Sequence, residues 1–169
     1  MASVEDKVNL FAYGVFKDPA MFEALVGHIP EGGSPAVLED HELVVQKGSE
    51  IPQQVIDIIK NTWTQEELDS FITYAVREKI GGYVIGKVWS VTQDDLRAIN
   101  DWELAGLWYK QIDGTAVNSS HGAINVVTHG IDEPALQQAT EHETHLMDRD
   151  RILSVARQVR AMREGKDHD

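Results

Sequence analysis

An α+β fold, with helices set around a small mixed or antiparallel, barrel-like sheet, is what this sequence predicts. Three observations carry that reading. Runs rich in valine, isoleucine and aromatic residues, clearest in Tyr83 to Val91, have strand composition. Other stretches place apolar residues at helical spacing, such as Leu68, Phe71, Ile72 and Ala75. Helix-start signals stand ahead of those stretches, notably Asp18-Pro19 and the Thr64/Glu67 pair.

In chain order, Val8 to Tyr13 is apolar, is bounded by Gly14 and predicts a first strand. Asp18 is a good N-cap and Pro19 suits the first helical position, so a helix follows with Phe22, Leu25 and Val26 on its apolar face. Ala36 to Gln46 reads as a strand or a bent hairpin. Residues 51–80 read as helical, first through Ile51, Val55, Ile58 and Ile59, then from the Thr64/Glu67 capping box until Gly81-Gly82 breaks the run. After the strand Tyr83 to Val91, Thr92 caps a short helix carrying Leu96 and Ile99. Strands are expected near Leu107 to Ile112 and at Ala123 to Thr128, with a hairpin turn at Asp113-Gly114. Asp132 and Pro134 open a helical tail, broken at Asp148 or Asp150. Its last piece carries Ile152, Val155, Val159 and Met162 on one stripe.

The 169 residues predict one domain, with a helical insertion at about 47–80 and a helical C-terminal extension at about 133–165. A net charge of −13 disfavours nucleic acid, whose phosphates an acidic protein repels. No apolar run reaches the roughly 20 residues that span a bilayer, so no membrane partner is expected. The absence of cysteine removes disulfides, thiolate nucleophiles and cysteine-bound zinc. With no secretory signal visible, a cytoplasmic location is the expectation. Basic residues gather near the C-terminus, from Arg149 to Lys166. They suit a solvated helix face, and the apolar stripe beside them leaves a homodimer through this helix open.

Few side-chain constellations suggest chemistry unaided. His142 and His145, with Glu141 and Glu143, could share a helix face, but they lack the zinc-protease spacing, and an exposed polar helix is the better reading. His121 and His129 are isolated. No metal and no organic cofactor is expected.

Two places resemble a known family. Leu10-Phe11-Ala12-Tyr13-Gly14-Val15-Phe16, followed by Asp18-Pro19 and a helix, resembles the opening Tyr-Gly motif of the gamma-glutamylcyclotransferase-like family, its avirulence-induced plant branch included. The strand Val84 to Val91, the helix Thr92 to Asn100, Asp101-Trp102-Glu103 and then Tyr109-Lys110 are similar to that family's strand, short helix, catalytic glutamate and tyrosine with a basic residue. Pro35 to Leu38 resembles its second strand. The match covers roughly residues 8 to 129, without 47–80. Val15 stands where members usually have Ser or Thr, and Leu104 where many have Gly.

The resemblance implies a small mixed barrel with a pocket at one end. It also implies cyclisation of a small gamma-glutamyl amide, amine or peptide to 5-oxoproline with release of an amine. It makes Glu103 the general acid/base and gives Tyr13, Gly14, Val15, Phe16 and Tyr109 to substrate binding. The chemistry suits the composition. The substrate's own α-amine attacks its γ-carbonyl, so no side-chain nucleophile is required, only a proton carrier and a pocket that holds the molecule folded. Trp102, Leu104 and Trp108 surround Glu103 in sequence, an apolar setting that raises a carboxyl pKa. The alternative is a catalytically silent domain of the same fold that binds a ligand or protein.

Overall fold

The computed structural model describes residues 7–47, 50–69, 72–106, 108–118, 120, 122–131, 137–138 and 149–167. Strand β1 (Lys7–Ala12) leads through a 3-10 turn (Val15–Lys17) into helix α1 (Pro19–Val26). Asp18 caps α1 as its residue type demands, its carboxylate accepting from the Ala20 N–H at 3.0 Å. Strand β2 (Glu31–Lys47), helices α2 (Gln53–Ile59) and α3 (Gln65–Asp69), and strand β3 (Ile72–Thr92) follow. Then come α4 (Gln93–Trp102), β4 (Lys110–Asn118), β5 (Gly122–Gly130), the two-residue β6 (Gln137–Gln138) and α5 (Arg149–Asp167).

The strand pairings close on themselves. β1 pairs with β3, β3 with β2, β2 with β4 and β4 with β5, all antiparallel, and β5 returns to β1 in parallel through Leu10 and Val127. β6 adds to the β2 side through Val44 and Val45. The α+β class expected from the sequence is the class observed, with a mixed sheet curled around an interior.

That curl explains why the strands read as apolar throughout. Phe11 of β1 and Tyr13 just beyond it turn inward with Leu38, Tyr74, Val76, Val84 and Val126. Leu10 and Ala12 turn outward to a second core, built by α1, α4 and α5 with Phe22, Trp89, Ile99 and Leu153. The alternating side chains of one strand thus feed two cores. Phe22 sits between Phe16 and Trp89, with ring centres 5.1 and 5.0 Å away.

The helical expectation for 51–80 holds in its first part only. α2 and α3 form, and the Thr64/Glu67 box is made, with the Glu67 N–H donating to Thr64 Oγ1 at 3.1 Å and the Thr64 N–H to Glu67 Oε1 at 2.9 Å. From Ile72 onward the chain is strand β3, so Ile72 and Ala75 face a sheet rather than lining a helix. Tertiary pairing overrides the helical spacing here: Tyr74, Ala75 and Val76 lie opposite Val45, Val44 and Leu43 of β2.

Gly81-Gly82 is correspondingly a bulge inside β3 and not a break. Glu39 faces Tyr83 while His41 faces Glu78, so residues 79–82 lie opposite Asp40 alone. Asp40 takes φ 57° there, and its carboxylate accepts from the Gly81 N–H at 3.0 Å. Asp113-Gly114 is not a turn either but lies within β4, paired to Val127 and Val126. A β-carbon at Gly114 would stand 2.9 Å from Leu38 Cδ1, so close packing, not turning, selects glycine. The β4–β5 turn follows Asn118, whose side-chain oxygen accepts from the Ser120 N–H at 2.7 Å.

The helical tail expected from Asp132 and Pro134 gives way to strand at Gln137–Gln138, while residues 132–136 and His142, His145, Glu141 and Glu143 lie outside the described residues. α5 forms where a helix was expected, but its buried face is shifted from the predicted stripe: of Ile152, Val155, Val159 and Met162 only Val155 is fully buried. It packs chiefly on α1, burying Leu153, Val155 and Ala156. Met162 stays 63% exposed. No described helix is long and apolar enough to cross a membrane.

Candidate active site

A cavity of about 220 Å³ opens where the sheet meets the helices. The link after β1 and the 3-10 turn give it Tyr13, Gly14, Val15 and Phe16; the end of α4 gives it Glu103; the approach to β4 gives it Tyr109. Every residue the sequence reading assigned to the site therefore lies on one cavity. Leu107, at the expected start of the β4 strand, lies outside the described residues.

Glu103 is held there by the way α4 begins and ends. At the start, Thr92 Oγ1 accepts from the Asp95 N–H and Asp95 accepts from the Thr92 N–H, a complete capping box. At the end, Glu103 is the C-cap, its N–H bonded to Ile99 O at 2.9 Å. The next residues close a Schellman motif: the Leu104 N–H donates to Asp101 O at 3.2 Å and the Ala105 N–H to Asn100 O at 2.9 Å. The residue after the cap must adopt the left-handed conformation, and Leu104 does so at φ 52°. A glycine would enter that conformation without strain, whereas a leucine there costs about 1 kcal/mol. Leu104 also lines the cavity, so its side chain has a use that a glycine would lack.

The electrostatics favour a protonated carboxyl. Glu103 is half-buried, with solvent reaching it through the cavity, and burial pushes its pKa up to about 8. Burial holds the phenols of Tyr13 and Tyr109 above their usual pKa; the neighbouring Tyr109 and then Glu103 add to this at Tyr13, and Glu103 adds to it at Tyr109. Both hydroxyls are used structurally. Tyr13 donates to His129 O at 2.5 Å, and Tyr109 donates to Tyr74 O at 3.0 Å with Thr73 Oγ1 at 3.2 Å. They fix the rings as walls and stay neutral.

Gly14 opens the 3-10 turn, and a β-carbon at this position would meet nothing within 4 Å. The backbone here can thus be approached closely by a ligand. The first N–H groups of such a turn have no carbonyl partner within it. Because these donors belong to the main chain, their presence does not depend on whether residue 15 is valine or serine. Phe16 is buried in the helix-side core and also lines the cavity.

Several lining residues were not singled out from sequence. His129, passed over as isolated, is buried in β5 and its pKa is lowered to about 4 by that burial. The ring is therefore neutral, with Nε2 2.6 Å from Asn100 Oδ1 on α4. Neutral imidazole can only donate there, which leaves Nδ1 as an acceptor. Ile58, Ile59 and Trp63, from α2 and the loop after it, form the far wall with Val155 and Val159 of α5. The helical spacing marked most of these as apolar faces, but only the folded chain shows that they face a cavity. Among the described residues no group of three metal-ligating side chains exists.

No family model matches the chain, and no curated protein does. Solved structures do. A gamma-glutamyl cyclotransferase superposes with a TM-score of 0.57 at 15% identity, over 79% of this chain and 70% of its own. A protein of Arabidopsis thaliana determined in solution gives 0.58 at 18% identity, over 99% of this chain and 86% of its own. An aig2-like protein of Mus musculus gives 0.50 at 13% identity, over 81% and 88%. The curled mixed sheet with its surrounding helices is thus the gamma-glutamylcyclotransferase-like fold.

Proposed function

We propose that this chain cyclises a gamma-glutamyl amide, amine or peptide to 5-oxoproline, with Glu103 moving the proton. The observation that carries the reading is a carboxyl on a cavity wall whose pKa is pushed up to about 8. An α-ammonium group has a pKa of about 7.7–8.0. The two are matched, so the Glu103 carboxylate can take the ammonium proton at little cost, as general acid–base catalysis requires.

The freed α-amine then attacks the γ-carbonyl carbon. A nitrogen–carbon bond forms and closes a five-membered ring, and the carbonyl oxygen becomes an oxyanion near the turn Tyr13 to Phe16. Glu103, now protonated, passes its proton to the departing nitrogen as the oxyanion returns to a carbonyl and the old carbon–nitrogen bond breaks. The attacking nitrogen gives up its second proton to the released amine, which leaves as an ammonium ion. The carboxyl returns to its starting state, so no cofactor is consumed. Holding amine and carbonyl together is worth about 7–11 kcal/mol in well-oriented intramolecular reactions, and the cavity walls do that holding.

Glu103→Gln tests this. The amide keeps the shape and cannot exchange the proton, so turnover should fall by roughly 10²–10⁴-fold while substrate still binds. Asp101→Asn is the control and should lose far less. Product is read as 5-oxoproline by mass spectrometry. A Glu103→Gln enzyme that works at the wild-type rate removes Glu103 from the mechanism. A wild type that turns over no gamma-glutamyl compound makes the silent binding domain the better account.

A further inference from the structure

The charge of the cavity wall narrows the substrate. Among the described residues no lysine or arginine lines the cavity. Its acidic side chains are Asp101 and Glu103, the latter favoured in its protonated form by burial. Two arginines approach from α5, and both are engaged. Arg163 pairs with Asp101. Arg151 donates to Glu67 at 2.9 Å and lies over the Trp63 ring, 5.4 Å from its centre.

Thr62, Thr73, Thr128 and His129 line the cavity as uncharged polar groups, and the turn at Tyr13 to Phe16 and Glu103 are the groups the proposed reaction uses. These serve the gamma-glutamyl half. What remains for the other half is Ile58, Ile59, Trp63, Val155 and Val159. Ile58 is 46% exposed, an isoleucine left open at the edge of a cavity that a ligand would cover.

We propose that the amine released by this site is an uncharged apolar group in the substrate, an alkyl or arylalkyl amide, rather than an amino acid or peptide with a free carboxylate. The proposal rests on the reading of Glu103 as proton carrier of a gamma-glutamyl cyclotransfer. A carboxylate placed against this wall would lose water and find no lysine or arginine in the lining to pair with. An aryl or alkyl group would leave water and fill space between Trp63 and α5.

The test compares gamma-glutamyl-phenethylamide with gamma-glutamylglycine, which share the reacting half and differ only in the amine. kcat/KM should be at least about tenfold higher for the phenethylamide, the discrimination typical of apolar pockets. Ile58→Arg places a cation at the cavity edge without entering the core. It should narrow or reverse that ratio, chiefly through KM, with thermal unfolding near wild type. Equal or better use of gamma-glutamylglycine by the wild type overturns the inference and leaves the cyclotransfer standing. If neither compound is turned over, the cyclotransfer fails. Calorimetry with N-phenethylacetamide, which lacks the reacting half, then decides the inference separately. Saturable binding that weakens in Trp63→Ala supports the apolar subsite, and absence of binding to the wild type overturns it.

Discussion

At the scale of single residues, a raised carboxyl pKa is also a statement about stability. In the unfolded chain a glutamate titrates near 4.3, whereas in the fold Glu103 titrates at about 8. Between those values the folded protein keeps a proton that the unfolded chain has released. Stability is therefore fully present below about pH 4.3 and is lost as pH rises through about 8. Glutamine does not ionise, so Glu103→Gln should erase this dependence. At pH 9 the variant should be more stable than wild type by about 1–3 kcal/mol, a figure reduced from the full shift because the cavity admits water. Near pH 4 the two should coincide. Thermal unfolding from pH 4 to 9 checks this, and parallel curves would show a solvated carboxyl. His129 acts in the opposite direction. Its folded pKa of about 4 lies below its unfolded value, so its contribution is lost as pH falls from about 6.5 toward 4.

At the scale of elements, legibility depended on whether the deciding interaction was local. The caps at Asp18, Thr64 and Thr92 involve residues two or three apart, and each was readable before the fold was seen. The start of β3 was not. Ile72 and Ala75 fit helical spacing and strand composition alike, and what decides is β2, about thirty residues away and invisible to any short window. The glycine pair at 81–82 has the same origin: it was expected to end a helix, and only pairing with β2 shows it as a bulge inside a strand. Glu103 was legible because it follows a capped helix and has a sequence motif around it. His129 had neither. The far wall depends on α5 meeting the α2–α3 segment, and Arg151 makes that junction. Its guanidinium donates to Glu67 and to Thr62 O, both at 2.9 Å, and covers Trp63. Arg151→Met should free Trp63 while lowering stability by only about 1 kcal/mol, since the pair is partly exposed. KM for a confirmed substrate should then rise several-fold with kcat changed less. A KM at the wild-type value would show that Trp63 holds its place without Arg151.

At the scale of the molecule, α5 completes the helix-side core and is more than a tail laid on a finished domain. It closes that core with Leu153 and Ala156 and walls the cavity with Val155 and Val159. Three ion pairs fasten it to distant parts of the chain: Arg149 to Asp18 at the head of α1, Arg151 to Glu67 on α3, and Arg163 to Asp101 near the end of α4. Exposed pairs of this kind contribute little each, so the buried stripe must supply most of the attachment. The sequence left two uses for that stripe, its own domain or a second subunit. The inward packing of Leu153, Val155 and Ala156 makes a clear prediction between them. Ala156 is fully buried, and Ala156→Asp would put an unpaired charge into the core that α5 shares with α1. It should lower stability by about 3 kcal/mol or more at every protein concentration. Met162→Asp, at an exposed position on the same helix, should change stability by less than about 0.5 kcal/mol. Chemical denaturation at several concentrations, with sedimentation for mass, reads both variants. A stable monomer from Ala156→Asp, out of a wild-type dimer, would mean that the stripe holds two subunits together instead of one domain.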